Sequence, residues 1–481
     1  MGLLTASENM QNKRLVEILQ AELTDANVLI QKLTQKLEVN EDSGLPNAVV
    51  MNRELDDLLR LTPHPKAVLF LSLSDQYTVL KRTSPSKPQW ILFNTAIRIM
   101  NVVGDKGRVN HTKDEEFLIL LQDLTEPQVA TEVAAEIIKQ VKEAYVLNGQ
   151  AISLGVNIGI SFYPEQGESK SILLRHADIA LSEAIKHKSI YQLFTPELRD
   201  RLIEKDELQK KILRALEANN SDGRPQLMLF FQPQVEIHDW NSPGKTGRVV
   251  GAEALIRWNH PNDGFIPPSK FIPVAEETGL IVHLGTWILH TAITCLQDLA
   301  TQGFDGITLS VNISSEQLNL EDFIPRMKEI VRRLKSNDHQ IKLELTESGM
   351  VNVDDTISKI NQMRELGFKV LLDDFGTGYS SLSYLKNLPI DVVKIDKSFI
   401  DGVPAGEKDT ALTRTIINLA TELKKDIVVE GTENRDQIDW LYAHGCKVFQ
   451  GYYFSKPLSY ADFLHYLRNF PAIFEAKSAI I

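Results

Sequence analysis

Hydrophobic spacing changes character several times along the chain, and each change marks a different kind of element. Residues 1–40 place apolar side chains at Val16, Leu19, Leu23, Ala26, Ile30, Leu33 and Leu37, alternating steps of three and four. That is the seam of an amphipathic helix, which either lies on its own protein or pairs with a second copy as a short coiled coil. Residues 41–195 mix short apolar runs with helical periodicity. Strands are predicted at 67–74, 115–121 and 152–161, and helices at about 88–103, 126–146 and 170–187. From Thr195 the chain turns rich in Glu, Lys, Arg and Leu, a connecting helix that Asn219-Asn-Ser-Asp-Gly-Arg-Pro225 breaks. The division is then a helix at 1–40, an α/β domain at 41–195, a connecting helix and linker at 196–225, and a larger domain at 226–474.

That last region repeats strand, loop and helix. Strands are predicted at 227–232, 248–256, 308–313, 341–345, 369–372, 392–395, 426–429 and 446–450, the profile of a (β/α)8 barrel of TIM type. A hairpin-like stretch at 238–245 follows the first strand where a helix would be expected, so the first strand is expected to run antiparallel. In such barrels function sits at the carboxyl ends of the strands.

The residues at those ends are Gln232, Glu253, Arg257, Asn312, Glu344, Glu347, Asp373, Asp374, Lys394, Asp396, Glu430, Glu433 and Gln450. Lys369-Val-Leu-Leu runs directly into Asp373-Asp-Phe-Gly-Thr-Gly378, two adjacent acids and a turn with two glycines. An isolated Asp-Asp-x-Gly is more often a helix cap than a metal site. Acids or amides ending most strands of one barrel are different, because such a mouth repels itself unless cations neutralise it. Oxygen ligands with almost no His or Cys favour Mg²⁺ or Mn²⁺ over Zn²⁺. Asp373 and Asp374 can bridge two ions about 4 Å apart, the spacing of two-metal phosphoryl chemistry.

Composition narrows the partners. The chain has 481 residues, 43% of them apolar and 24% charged, enough for two or three soluble domains. A net charge of −12 argues against a surface that coats a nucleic-acid polymer, and leaves open a small phosphate ligand held through metals. Two cysteines, Cys295 and Cys446, exclude a disulfide scaffold. No apolar run approaches the roughly 20 residues of a transmembrane helix, and no signal peptide is apparent, so the expected location is cytoplasmic.

Motifs then point to a family. Gly251-Ala-Glu-Ala-Leu-Ile-Arg-Trp258, Pro267-Pro268, Phe271-Ile-Pro273, Ser310-Val-Asn-Ile-Ser314, Glu344-Leu-Thr-Glu-Ser348, Asp373-Asp-Phe-Gly-Thr-Gly378, Val393-Lys-Ile-Asp396, Glu430-Gly-Thr-Glu433 and Gln450-Gly-Tyr452 follow one another across 226–474. Together they resemble an EAL domain, the cyclic di-GMP phosphodiesterase family. The resemblance implies Glu253, Asn312, Glu344 and Asp373 around one ion, and Asp373, Asp374 and Glu430 around a second. Lys394 would hold the attacking water, Glu433 would support the second ion, and Gln450 would position water or phosphate. Gln232, Leu255, Arg257 and Asp396 would meet the nucleotide. Glu347, Phe375, Gly376 and Gly378 would couple the site to a homodimer interface. The implied reaction is hydrolysis of cyclic di-GMP to linear pGpG, with a non-catalytic cyclic di-GMP receptor as the alternative.

Residues 41–195 resemble a GGDEF domain, the diguanylate cyclase fold. Gly44-Leu-Pro-Asn47, Lys113-Asp-Glu-Glu-Phe117, Gly155-Val-Asn-Ile-Gly159 and Ala177-Asp178 with Ala180-Leu181 carry the likeness. Both signature glycines are replaced, by Lys113 and Asp114, and the strand that should supply metal-binding aspartates has Ser72 and Ser74. The product-inhibition motif falls on Gly104 and Gly107. Serine hydroxyls are poor substitutes for anionic ligands, so synthesis is expected to be lost. What remains is a packing and dimerisation module or a regulatory nucleotide pocket, with the helix at 1–40 open to an upstream signalling partner.

Overall fold

The computed structural model describes residues 23–24, 26, 38–61, 64–74, 77, 79–81, 87–147, 149–187, 189–220, 225–240, 246–333, 341–346, 353–373, 375 and 388–479. Most of the predicted 16–37 seam therefore lies outside the described residues. The chain forms two compact units, Met1–Glu204 and Lys205–Ile481.

The first unit is built on β1 (Lys66–Leu73), whose residues are buried on both faces. After α1 (Ala48–Leu61) and β1 come α2 (Lys87–Val103), β2 (Gly107–Lys113), β3 (Glu116–Leu121), α3 (Pro127–Lys142), the small hairpin β4 (Tyr145–Leu147) and β5 (Gln150–Ile152), β6 (Val156–Tyr163), α4 (Lys170–Lys186) and β7 (Tyr191–Leu193). The main sheet has the order β2-β3-β1-β6-β7. Alternation along β1 divides the core. Ala67, Leu69 and Leu71 face Ile91, Ala96, Val133 and Ile137 from α2 and α3, while Val68 meets Met51, Leu55, Leu173 and Ala177 from α1 and α4. Gly159 allows α4 to lie directly on β6, since a Cβ there would come within 2.1 Å of the Ala177 carbonyl oxygen.

Two boundaries differ from expectation. The helix expected to reach 146 stops at Lys142, because Arg98 donates to the Gln140 and Glu143 carbonyl oxygens at 2.8 and 2.6 Å and closes its carboxyl end. Ile152 belongs to the small hairpin, and the strand expected from it begins at Val156.

The long helix α5 (Pro196–Asn220) leads to the second unit. Its Leu208, Ile212, Ala215 and Leu216 are buried in the core of that unit. The barrel strands are β8 (Leu227–Asp239), β9 (Thr246–His260), β11 (Thr308–Ile313), β12 (Ile341–Thr346), β13 (Lys369–Asp373), β14 (Val392–Ile395), β15 (Asp426–Val429) and β16 (Val448–Gln450), with β10 (Gly264–Ile266) a short antiparallel addition to β9. Strands β9 and β11 to β16 pair in parallel, in sequence order. As expected, β8 is antiparallel: it pairs that way with both β9 and β16 and closes the barrel. Its hairpin with β9 makes both strands longer than expected, at 13 and 15 residues. The last strand starts two residues later than expected, because Cys446 belongs to the turn after the preceding helix.

Outside the barrel lie α6 (Pro268–Glu277), α7 (Ile281–Thr301), α8 (Phe323–Arg333), α9 (Val353–Glu365), α10 (Glu407–Glu422), α11 (Arg435–Ala443) and α12 (Tyr460–Ala479). Leu371, Val392 and Val428 form a small apolar plug, with Val448 packed against it. The polar side chains two residues further along these strands are thereby lifted towards the carboxyl-end mouth.

Candidate active site at the carboxyl ends of the barrel strands

Each polar residue at the mouth follows from strand alternation. Asn312, Glu344, Asp373, Lys394 and Gln450 lie at or near the carboxyl ends of β11, β12, β13, β14 and β16 on the inward face. Glu253 lies midway along the long strand β9, where its parallel pairing with β11 stops, and Glu430 follows β15 directly. Their convergence centres on Lys394, a fully buried ammonium. Its Nζ lies 2.5 Å from Glu430, 2.6 Å from Glu344, 3.2 Å from Asp373 and 3.8 Å from Glu253.

Glu253 is also gripped by neutral donors. Asn312 Nδ2 donates to its Oε1 at 2.8 Å, and Gln450 Nε2 donates to its Oε2 at 2.6 Å. Gln450 Nε2 also reaches Gln232 Oε1 at 3.3 Å, and the side-chain Oε1 of Gln450 accepts from Gln234 Nε2 at 3.0 Å. Gln234 is completely buried, and the prediction from sequence did not include it. The signal was present: it sits two residues after Gln232 and so shares its face of β8. Gly251 makes room for it, since a Cβ there would stand 2.6 Å from the Thr308 carbonyl oxygen and 3.3 Å from Gln234 Oε1.

The electrostatics follow from four carboxylates around one ammonium. Burial would strip Lys394 of its proton, but Glu253, Glu344, Glu430 and Asp373 together hold it firmly. Burial lifts the Glu344 carboxyl well above the usual range and pushes Glu430 up to about 8. Burial acts on Glu253 too, but Lys394, Gln450 and Asn312 outweigh it and keep this carboxyl below its ordinary value. Glu344 Oε1 is buried with no hydrogen-bond partner among the described residues. An excess of buried negative charge with an unpartnered anionic oxygen fits hard divalent cations. Among the described residues no three acidic or imidazole side chains are set up to hold an ion as they stand. The Lys394 ammonium stands at the centre of these carboxylates.

The other predicted residues divide four ways. Leu255 and Arg257 line a cavity of about 470 Å³ with Pro268, Glu276, Asn312 and Ser315. Asp396 accepts from Ser398 N at 2.9 Å and caps a one-turn helix, and Glu433 pairs with Lys397 at 2.5 Å. Neither is among the four acids within ion-pair distance of Lys394. Phe375 is buried beside the mouth strand β13. Glu347, Asp374, Gly376 and Gly378 lie outside the described residues.

In the first unit, Ser72 and Ser74 line a cavity of about 500 Å³ with Glu115, Lys142, Gly155 and Asn157. Ser74 Oγ accepts from Gly155 N at 3.0 Å, a structural bond that ties β1 to β6. Asp114 stands in the hairpin turn at φ +43°, the left-handed conformation a glycine would take freely, and forms an ion pair with Lys81.

Fold and site define a (β/α)8-type barrel with one antiparallel strand and a carboxylate–lysine centre at its mouth. Residues 209–457 match the EAL domain and residues 39–189 match the diguanylate cyclase, GGDEF domain. The chain belongs to the EAL-domain family, with a GGDEF domain ahead of the barrel. It is 31% identical over 471 residues to the cyclic di-GMP phosphodiesterase NbdA of Pseudomonas aeruginosa, covering 96% of this chain and 58% of NbdA. To the cyclic di-GMP phosphodiesterase PdeR of Escherichia coli K12 it is 30% identical over 440 residues, covering 90% of this chain and 64% of PdeR. The EAL enzyme Bd1971, solved in a cAMP- and cyclic-di-GMP-bound form, is similar with a TM-score of 0.50 and 28% identity over 66% of this chain and 82% of that one. The chain spans about half the length of the curated relatives it matches. No helix among the described residues is long and apolar enough to cross a membrane.

Proposed function

We propose that the barrel hydrolyses cyclic di-GMP to linear pGpG with two divalent cations, Mg²⁺ or Mn²⁺. The observation that carries this reading is the buried Lys394 ammonium held among Glu253, Glu344, Asp373 and Glu430. Two relatives named cyclic di-GMP phosphodiesterases support the substrate. The cations would be held by Glu253, Asn312, Glu344 and Asp373 on one side and by Asp373, Asp374 and Glu430 on the other. When bound, they supply Lewis acidity at the phosphoryl oxygens and an acidified water.

The chain's own residues do the rest. Lys394 would hold and polarise the attacking water through its ammonium. Glu430, whose carboxyl burial pushes up in the metal-free chain, would be held ionised by the second cation and complete its ligand set. Gln450 and Asn312 fix the orientation of Glu253, and Arg257 beside Leu255 binds a phosphate of the substrate.

The first domain serves a regulatory or structural role and makes no cyclic di-GMP. Ser74 is committed to Gly155, and Ser72 offers no anionic oxygen.

Incubating the purified chain with cyclic di-GMP decides the matter. Linear pGpG should form with Mg²⁺ or Mn²⁺, stop after chelation, and be inhibited by the larger, more loosely coordinating Ca²⁺. Product that persists after exhaustive chelation would overturn the two-cation reading. Binding without product would make the barrel a receptor.

A further inference from the structure

The barrel has a second polar end. At the amino ends of the strands, opposite the mouth, Arg248 of β9, Lys342 of β12 and Lys369 of β13 line a cavity of about 440 Å³. Its wall is completed by the turn before β11, from Gly303 to Ile307, including Asp305. A Cβ at Gly303 or Gly306 would meet nothing within 4 Å, so the backbone there lies open to a ligand.

Lys342 and Lys369 are register partners on adjacent parallel strands. Lys342 lies two residues before Glu344, and Lys369 four before Asp373, so both ammonium stems leave the lumen face, at the end away from the active site. Like charges placed side by side on one face destabilise a sheet. Among the described residues, no carboxylate comes within ion-pair distance of either ammonium. Burial and the neighbouring Lys369 charge pull the Lys342 pKa down, and the carboxylates of Glu344 and Asp426 offset them only from a distance. Arg248 donates through Nε to Glu236 at 2.9 Å, and its terminal nitrogens make no hydrogen bond among the described residues.

We propose that this cavity binds a phosphate group, either inorganic phosphate or the phosphate of a small phosphorylated molecule. Two ammonium groups without a carboxylate partner, beside the terminal nitrogens of the Glu236-paired Arg248 and against the lining Asp305, match the charge and several acceptor oxygens of a phosphate. A shared phosphate turns the repulsion between Lys342 and Lys369 into attraction for a common partner, and a guanidinium adds bidentate geometry. The site lies across the apolar plug from Lys394, so it is distinct from the substrate's place.

Calorimetric titration of the full, Mg²⁺-loaded chain tests this at constant ionic strength, with inorganic phosphate in one arm, GMP in a second and chloride as the blank. Saturable binding should weaken about tenfold or more in Lys342→Gln and in Lys369→Gln, since each loses a charged donor to the anion. Equal affinity for phosphate and GMP identifies free phosphate as sufficient; tighter GMP binding identifies a phosphorylated small molecule. Lys369 is exposed at the start of its strand, so its variant keeps the fold and decides the question even if Lys342→Gln does not fold. Identical affinities in the intact chain and Lys369→Gln would assign the binding to another site and overturn the proposal. So would heats no larger than those of chloride.

Discussion

Lys394 holds together a group of side chains that would otherwise repel. Without divalent cations, its ammonium is the only positive charge within ion-pair distance of Glu344, among the described residues. Lys394→Met should therefore cost the metal-free protein about 3–5 kcal/mol, the penalty for leaving buried charges unpaired. Mg²⁺ should restore more stability in the variant than in the parent chain. Urea midpoints with and without chelator measure both; an unchanged midpoint in chelator would contradict the role assigned to the ammonium. Gln234 acts at one remove. It holds the side-chain Oε1 of Gln450 so that Gln450 Nε2 faces Glu253. Gln234→Leu keeps the volume of the side chain and removes that hold, so turnover should fall about 10–100-fold, with KM little changed. Gln234→Glu, which keeps the length of the side chain, cannot donate to Gln450 and should fare no better.

At the scale of elements, the β2–β3 hairpin of the first domain rests on one histidine. His111 is buried and stacked on Phe117, with Nδ1 2.8 Å from Ser43 Oγ and Nε2 2.8 Å from the Asp114 carbonyl oxygen. Burial pulls its pKa below the ordinary value of 6.5. Above that value both the folded and unfolded states are neutral and the histidine has no pH-dependent effect. As pH falls through 6.5 the unfolded chain takes up a proton that the folded domain refuses, so stability drops. Hydrogen exchange of β3 amides, corrected for the intrinsic rate, should show lower protection at pH 5.5 than at 7.5. In His111→Gln that pH dependence should shrink; an equal drop in both proteins would assign it to other groups, His176 first, whose pKa burial also lowers.

For the whole molecule, the connecting helix α5 belongs to both units in sequence, while its second half belongs to the barrel in packing. Leu208, Ile212, Ala215 and Leu216 are buried in the barrel core. A fragment beginning at residue 196 should fold and hydrolyse substrate. One beginning at 226 loses three large apolar side chains, at about 1.5–3 kcal/mol of burial each, against a typical stability of about 5–15 kcal/mol. It should be insoluble or melt far lower, as circular dichroism of the two fragments would report. Equal melting temperatures would mean the helix only tethers the domains. If the longer fragment matches the intact chain in specific activity and in concentration dependence, regulation by the first domain through dimer geometry has no support.

The sequence alone determined the order of the barrel strands, the antiparallel start and the polar side chain that ends each strand. These follow from local periodicity, which alternation and strand length impose on neighbouring residues. Tertiary structure decided which of those side chains meet. Lys394 and Glu344 are 50 residues apart, and Gln450 and Glu253 are 197, so no local pattern links them. The same reason hid Gln234, whose role depends on β16 lying beside β8, and the pairing of Glu433 with Lys397. It also hid the early end of α3, because Arg98 reaches that helix from a different one. In the first domain β2 was not legible at all: Gly-Arg-Val-Asn-His-Thr-Lys shows one aliphatic residue, and its place in the sheet comes from pairing with β3. Period and composition fix what a segment can become, and only closure of the barrel sets which charge faces which.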